Sequence, residues 1–232
     1  MNKIPVNSDL IRKPLIRDLY DNPMSAEAIE NRSFEIIDTE APPHGFSSDQ
    51  WQVVRRMVHT TADFGLIHFI RFSSDAIESA TQALRSGAGI FVDSNMIRSG
   101  LSIARLRQVC SNYSPQDIVC HVADPDVASS AIESGLPRSL FAVKKAQPIL
   151  NGCIAAFGNA PVALMELNRL IIEEGIKPAI VIAMPVGFVH VTESKDEVMS
   201  LDVPYVAISG RRGGSPLAVS AIHALCALAA AR

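Results

Sequence analysis

The chain has 232 residues, 48% of them hydrophobic, and a formal net charge of −3. That length holds one large α/β domain or two small ones, and that composition fills a sizeable core. The charge excludes the strongly basic surface of a nucleic-acid binder, though not a local cluster of arginines.

The N-terminal "MNKIPVNSDLIRKPL" lacks the apolar centre of a signal peptide, and residues 1–25 read as an arm outside the main core, which spans 26–232 as a single domain. Residues 26–40 are predicted as a helix with Ser25 as its N-cap. "APPHGF" breaks it, and a second helix starts at "SSDQ", where Ser47 and Gln50 have capping-box spacing. Strands and helices then alternate. Strands are predicted at 66–73, 89–94, 117–124, 153–159, 178–186 and 204–210. Helices are predicted from Asp75 to Gly87, through "NMIRSGLSIARL", from Pro125, through "RSLFAVKKAQPIL", and through "APVALMELNRLIIEEG" to Gly175. The tail "LAVSAIHALCALAAAR" is too short to span a bilayer and reads as a buried terminal helix.

The middle strands are continuous apolar runs, the pattern of strands buried on both faces. The expected architecture is α/β: a doubly wound, mainly parallel sheet with helices on both faces and a ligand site beyond the carboxyl ends of the strands. Cys110, Cys120, Cys153 and Cys226 lie far apart with no C-x-x-C, so they read as buried thiols of a cytoplasmic protein, not as disulfides or a zinc site.

Four strand ends carry polar or glycine-rich turns: "VDSNMIRSG", "FGNAP", "MPVGFVHVTESKD" and "SGRRGGSP". None has P-loop or dinucleotide-binding spacing. In the last, Gly213 and Gly214 allow close approach of a ligand to the backbone, Ser215 opens a helix whose free N–H groups favour an anion, and Arg211 and Arg212 stand alongside. Any one of these loops could be a plain tight turn. Several on one sheet edge point to a ligand with several carboxylates or phosphates. Arg138 and Ser139 open a helix after Pro137, where Arg138 either forks onto a carboxylate or is simply solvated; Arg32 and Ser33 are similarly open.

Six histidines remain. His68 and His121 fall in strand runs and read as core, His44 and His190 lie in loops, and His223 lies in the last helix. No metal-binding pair and no G-x-S-x-G elbow is present. His59 follows the stripe Trp51, Val54, Met57 and Val58 but falls outside it, beside Arg55. It reads as an exposed imidazole, either inert or able to move a proton near neutral pH.

Taken together, "AIENRSFEII", "RRMVH", "GNAPVAL", "MPVGFV…ESKD" and "GRRGGS", in this order and separation, resemble the precorrin-8X methylmutase family over roughly residues 20–228. The resemblance implies an α/β homodimer with its site near the subunit interface. It implies an isomerase of cobalamin biosynthesis that moves a methyl group from C-11 to C-12 of a corrin, with no dissociable cofactor and no protein-bound metal. The family's histidine falls on His59 as proton carrier, its serine on Ser33, an arginine of the substrate cleft on Arg138, and its "GGS" on Gly213, Gly214 and Ser215. Arg32, Asp93, Ser102 and Ser139 complete the expected substrate-binding set. The partner is a carboxylate-edged tetrapyrrole; no nucleic acid and no membrane are expected. The chain departs from the family pattern twice. "TTADF" follows the histidine where Ala-Cys-Gly is more usual, and His190 stands where a small residue or Asn is more usual. Two other readings stay open: a non-catalytic tetrapyrrole carrier, and an α/β enzyme acting on a phosphorylated metabolite.

Overall fold

The structure, a computed structural model, describes residues 14–231. The chain forms two compact units, Met1–Ala41 and Pro42–Arg232. The first holds α1 (Ile16–Asp21) and α2 (Ala26–Glu40). Ser25 caps α2, its side chain accepting from the Ala28 N–H at 3.1 Å. The boundary read from composition, at 25/26, runs between these two helices, and residues 1–13 of the arm lie outside the described residues.

The second unit opens with α3 (Ser48–Thr61), started by the expected capping box between Ser47 and Gln50. The segment expected as a strand at 66–73 is instead a 3₁₀ turn, Phe64–His68, followed by the three-residue β1 (Ile70–Phe72). A short apolar run does not distinguish the two on periodicity alone. Next come α4 (Ala76–Arg85) and β2 (Ile90–Val92). The single helix expected from 95 is two, α5 (Asn95–Gly100) and α6 (Ile103–Val109), because Leu101 turns extended and Ser102 caps the second one. The strand expected at 117–124 shrinks to β3 (Ile118–Val119). Then follow α7 (Pro125–Ser134), α8 (Arg138–Leu150), β4 (Ile154–Phe157), α9 (Pro161–Glu174) and β5 (Ile180–Ala183). The loop expected through 184–196 contains the start of a helix, α10 (Val191–Ser200), before β6 (Tyr205–Ile208) and α11 (Ser215–Ala231).

The sheet order is β1-β6-β5-β4-β2-β3, with every pair parallel except β1 on β6. Alternate residues serve opposite faces. Phe91, Ala155, Phe157, Val181, Ala183 and Ala207 pack with Val143 and Leu150 of α8, Leu164 and Leu167 of α9, and Val198 of α10. Ile90, Ala156, Ile182 and Val206, one residue out of phase, are equally buried on the other face, where α4 and α11 lie on the sheet. The sheet is therefore covered on both sides, as the unbroken apolar runs require. α11 supplies the centre of its layer, contacting α3, α4, α5 and α6.

The connections decide where chemistry can sit. β2, β4, β5 and β6 run in parallel, so their carboxyl ends share one edge. α3 leads into β1, which enters the sheet opposite Ile208 at that same edge. α8 ends where β4 begins, so its N-terminal Arg138 lies at that edge too.

Candidate functional site

The strand-end turns are tied to one another before they offer anything to a ligand. Asp93, after β2, is 1% exposed. Its carboxylate accepts from the N–H groups of Gly158 at 3.0 Å, Asn159 at 2.9 Å and Ala160 at 2.7 Å. Burial pushes its carboxyl up, and the three N–H donors oppose that shift. Both oxygens of Asp93, one of the expected substrate-binding residues, are thus engaged by the next turn, and the side chain ties the two turns together. Ser94 Oγ and Ser215 Oγ lie 3.0 Å apart, joining the β2 turn to the start of α11.

The glycines have the same purpose. A Cβ on Gly213 would stand 2.3 Å from the Met184 carbonyl oxygen and 2.4 Å from that of Pro185. A Cβ on Gly158 would stand 2.7 Å from Ser215 Cα. Gly213 therefore lies closely against the β5 turn on its Cβ side. Gly214, at φ +131°, donates its N–H to the Met184 carbonyl at 2.8 Å. Ser215 is buried, with its hydroxyl on Ser94.

Above this floor lies a cleft of about 430 Å³, lined by Thr61, Asp63, Leu66, Val186, Phe188, Arg211, Arg212 and Gly213 among others. Arg212 donates to Asp63 Oδ2 at 2.7 Å, while Asp63 Oδ1 accepts from the Gly65 N–H at 2.8 Å. The Arg211 guanidinium lies 5.4 Å from the centroid of the Phe188 ring, and Phe188 is 82% exposed. The cleft therefore offers an apolar wall, one guanidinium already matched by a carboxylate, and one stacked on an aromatic ring.

His59 is exposed, and Val53, Val54, Met57 and Val58 of the same helix are buried. By helical geometry it points directly away from that packing face. Arg56 and Thr60, on its flank, line a second depression of about 340 Å³ with Met96, Pro216 and His223. His59 lines neither depression. Ser102 caps α6, and its N–H donates to His223 Nε2 at 3.0 Å, so a neutral His223 carries its proton on Nδ1.

Arg138 is exposed at the first turn of α8, and Ser139 beside it is buried. In the first unit Arg32 pairs with Glu35 at 2.7 Å, and Ser33 Oγ donates to the Ile29 carbonyl at 2.8 Å. His68 is exposed in the 3₁₀ turn, and His121, partly exposed, contacts Asp124 at 2.8 Å, so neither is the core residue expected. A histidine within an apolar run was the whole basis for that expectation. Among the described residues no group of His, Cys, Asp and Glu could hold a metal ion, and no helix is long and apolar enough to cross a membrane.

Two residues of this region escaped the sequence reading. Asp63, within "TTADF", gave no signal that it would meet Arg212, which is 149 positions away. Lys195 could have been found. Val191, Lys195 and Val198 have helical i, i+4, i+7 spacing, which places a lysine on a buried stripe.

The precorrin-8X methylmutase family model matches residues 28–228. The chain belongs to the precorrin-8X methylmutase family. It is 42% identical over 213 residues to a cobalt-precorrin-8 methylmutase of Leptospira interrogans, covering 88% of this chain and 94% of that one. It is 36% identical over 208 residues to a precorrin-8X methylmutase of a Sinorhizobium species, covering 89% and 96%. A crystal structure of precorrin-8X methylmutase from Thermus thermophilus superposes with a TM-score of 0.81 at 45% identity, covering 88% of this chain and 97% of the other. The methylmutase family consists of intramolecular methyl-transferring isomerases of cobalamin biosynthesis, and this chain is one of them. The carrier and the phosphorylated-metabolite readings are not favoured.

Proposed function

We infer that the substrate is the carboxylate-edged corrin ring of precorrin-8X or its cobalt-bearing counterpart, and that the product is hydrogenobyrinate or cobyrinate. In a [1,5]-sigmatropic shift the C-11–methyl bond breaks as the C-12–methyl bond forms and the intervening double bonds move. No atom is gained or lost, so no co-reactant is needed. His59 adjusts the protonation of the conjugated ring, and with it the electron density that the shift redistributes. The rest of the protein holds and orients the ring. Arg211, Arg212 and Arg138, gathered at one edge of the sheet, receive its carboxylates, with Ser102 and Ser139 as further contacts; the family resemblance also assigns Arg32 and Ser33 to the substrate. Cobalt, where present, is part of the substrate.

The observation that carries this reading is the placement of His59: exposed, at the substrate edge, and opposite the packing stripe of its own helix. A proton carrier works best where water is excluded, and His59 lines neither of the two depressions described above. A second copy of the chain, forming a homodimer, supplies the missing wall. Residues 26–232 act as the methylmutase domain, residues 1–25 as an arm outside it, and the protein works in the cytoplasm.

The test is to mix purified protein with a large excess of precorrin-8X and, separately, cobalt-precorrin-8. Conversion of the excess, followed by visible absorption, is expected for one or both. A spectral shift that saturates at one ring per site would make the protein a carrier. Light scattering on the same sample is expected to give twice the chain mass.

A further inference from the structure

Lys195 lies on the inner face of α10 with Val191, Ser194 and Val198, and its residue exposure is 0%. Its ammonium donates to the carbonyl oxygens of Gly210, at 3.0 Å, and Arg212, at 2.6 Å. Between them, the Arg211 carbonyl accepts from the Gly187 N–H at 3.4 Å. Three successive carbonyls of the turn are thereby held from within, and the guanidinium groups of Arg211 and Arg212 are presented to the cleft. α10 is itself fixed from behind: Asn168 of α9 donates to the Ser194 carbonyl and to Glu197, both at 2.9 Å.

A buried ammonium is a poor choice for stability alone, since desolvating it is unfavourable and an apolar side chain of similar volume packs as well. Desolvation is marked enough here to bring the Lys195 pKa down to about 8, with Asp196 opposing the shift. What the ammonium adds over an apolar side chain is a fixed grip on two carbonyls and a positive charge beneath the cleft floor.

We propose that Lys195 is a positioning residue for substrate carboxylates, acting through the Gly210–Arg212 turn that it holds. The assignment rests on the corrin reading above and names the part of the protein that shapes its anion site. Lys195 does not touch the ring; it sets where the two arginines stand.

The experiment is a double-mutant cycle read by absorbance titration with hydrogenobyrinic acid and by turnover of precorrin-8X. Wild type, Lys195→Met, Arg211→Ala/Arg212→Ala and the triple variant are compared. Lys195→Met is expected to weaken hydrogenobyrinic acid binding about tenfold, the size of one lost charge-assisted contact. KM should rise by the same factor, and kcat should change much less. In the arginine-free background, Lys195→Met should have less than about a twofold effect, because the groups it positions are gone. Equal effects in both backgrounds would overturn the proposal, as would loss of kcat at unchanged KM.

A second measurement needs no variant. The charged groups on the elements around Lys195 are Glu193, Asp196 and Glu197 on its own helix, Glu166, Arg169, Glu173 and Glu174 on α9, Arg211 and Arg212 on the turn, and Asp63 paired to Arg212. The arginines stay charged in this range. Wild-type affinity for hydrogenobyrinic acid should therefore hold below pH about 8 and fall severalfold above it, as Lys195 loses its charge. A flat profile to pH about 9.5 would overturn the proposal, even if Lys195→Met did not fold. If the wild type neither bound nor converted a corrin, the corrin reading itself would fail, which is a different result from a wild type that binds well and variants that bind equally well.

Discussion

Arg212 and Asp63 form an ion pair across the floor of the cleft, Nη1 to Oδ2 at 2.7 Å, and both side chains are about half exposed. On the corrin reading proposed above, a substrate carboxylate that reached this guanidinium would share it with Asp63. Half-exposed pairs contribute little to stability, roughly 0–1 kcal/mol. Asp63→Asn keeps a side-chain oxygen for the Gly65 N–H and removes the competing charge. It is expected to tighten hydrogenobyrinic acid binding severalfold with a melting temperature within about 2 °C of wild type. Weaker binding in an equally stable protein would show that Asp63 orients Arg212 and does not mask it.

His59→Ala and His59→Asn should both fold normally, because the side chain is exposed and its removal opens no core cavity. Loss of a positioned acid–base group is expected to slow turnover by ~10²–10⁴-fold while product affinity stays close to wild type. Turnover assays beside product titration and melting check this. Wild-type turnover in either variant would remove His59 from the mechanism.

Ala62 and His190 are the non-glycine residues with positive φ among the described residues, at +53° and +56°. Ala62 lies in "TTADF", and this stretch and His190 are the two that read as departures from the resembled family in the sequence. Ala62 is the left-handed C-cap of α3, and His190 is the left-handed residue that precedes α10. A Cβ in this region is strained, and Gly and Asn relieve it best. Ala62→Gly and His190→Asn are each expected to stabilise the protein by up to about 1 kcal/mol, or about 2–4 °C in Tm. A fall in Tm for His190→Asn would mean that the imidazole makes a contact worth more than the strain.

Asp93→Asn tests the tie between two turns. An Asn oxygen placed at Oδ2 can still accept from Asn159 and Ala160, but its amide nitrogen then faces the Gly158 N–H, donor against donor. A loss of about 2 kcal/mol is expected, seen as a fall of about 4–8 °C in Tm. An unchanged Tm would show that the three hydrogen bonds do not hold the edge together.

Much of this architecture is legible in the sequence because its signals are local. Ser25 and the Ser47–Gln50 box start helices where expected, and Gly135 and Gly175 end them in the left-handed region. The buried parallel strands announce themselves as apolar runs. What escapes is what depends on distant neighbours. The spacing of Val191, Lys195 and Val198 marks α10 locally, but the partners of its buried lysine, carbonyls 15 and 17 residues further on, are not local. Residues 66–73 look like strand but put Leu66 and Ile67 into a 3₁₀ turn, since only Ile70–Phe72 finds a partner in β6. In the site, the exposure of His59 follows from the helical wheel. The occupation of Asp93 by the next turn, and of Arg212 by Asp63, does not follow from any pattern near them.

The sheet is bounded by a three-residue strand on one side and a two-residue strand on the other. So little free backbone is left at either border that another chain has almost no ladder to extend, which protects a concentrated solution from fibre-like stacking. It also limits how two copies can meet. Borders this short favour a pair made by side chains on helices and turns over one made by continuing one sheet into the next.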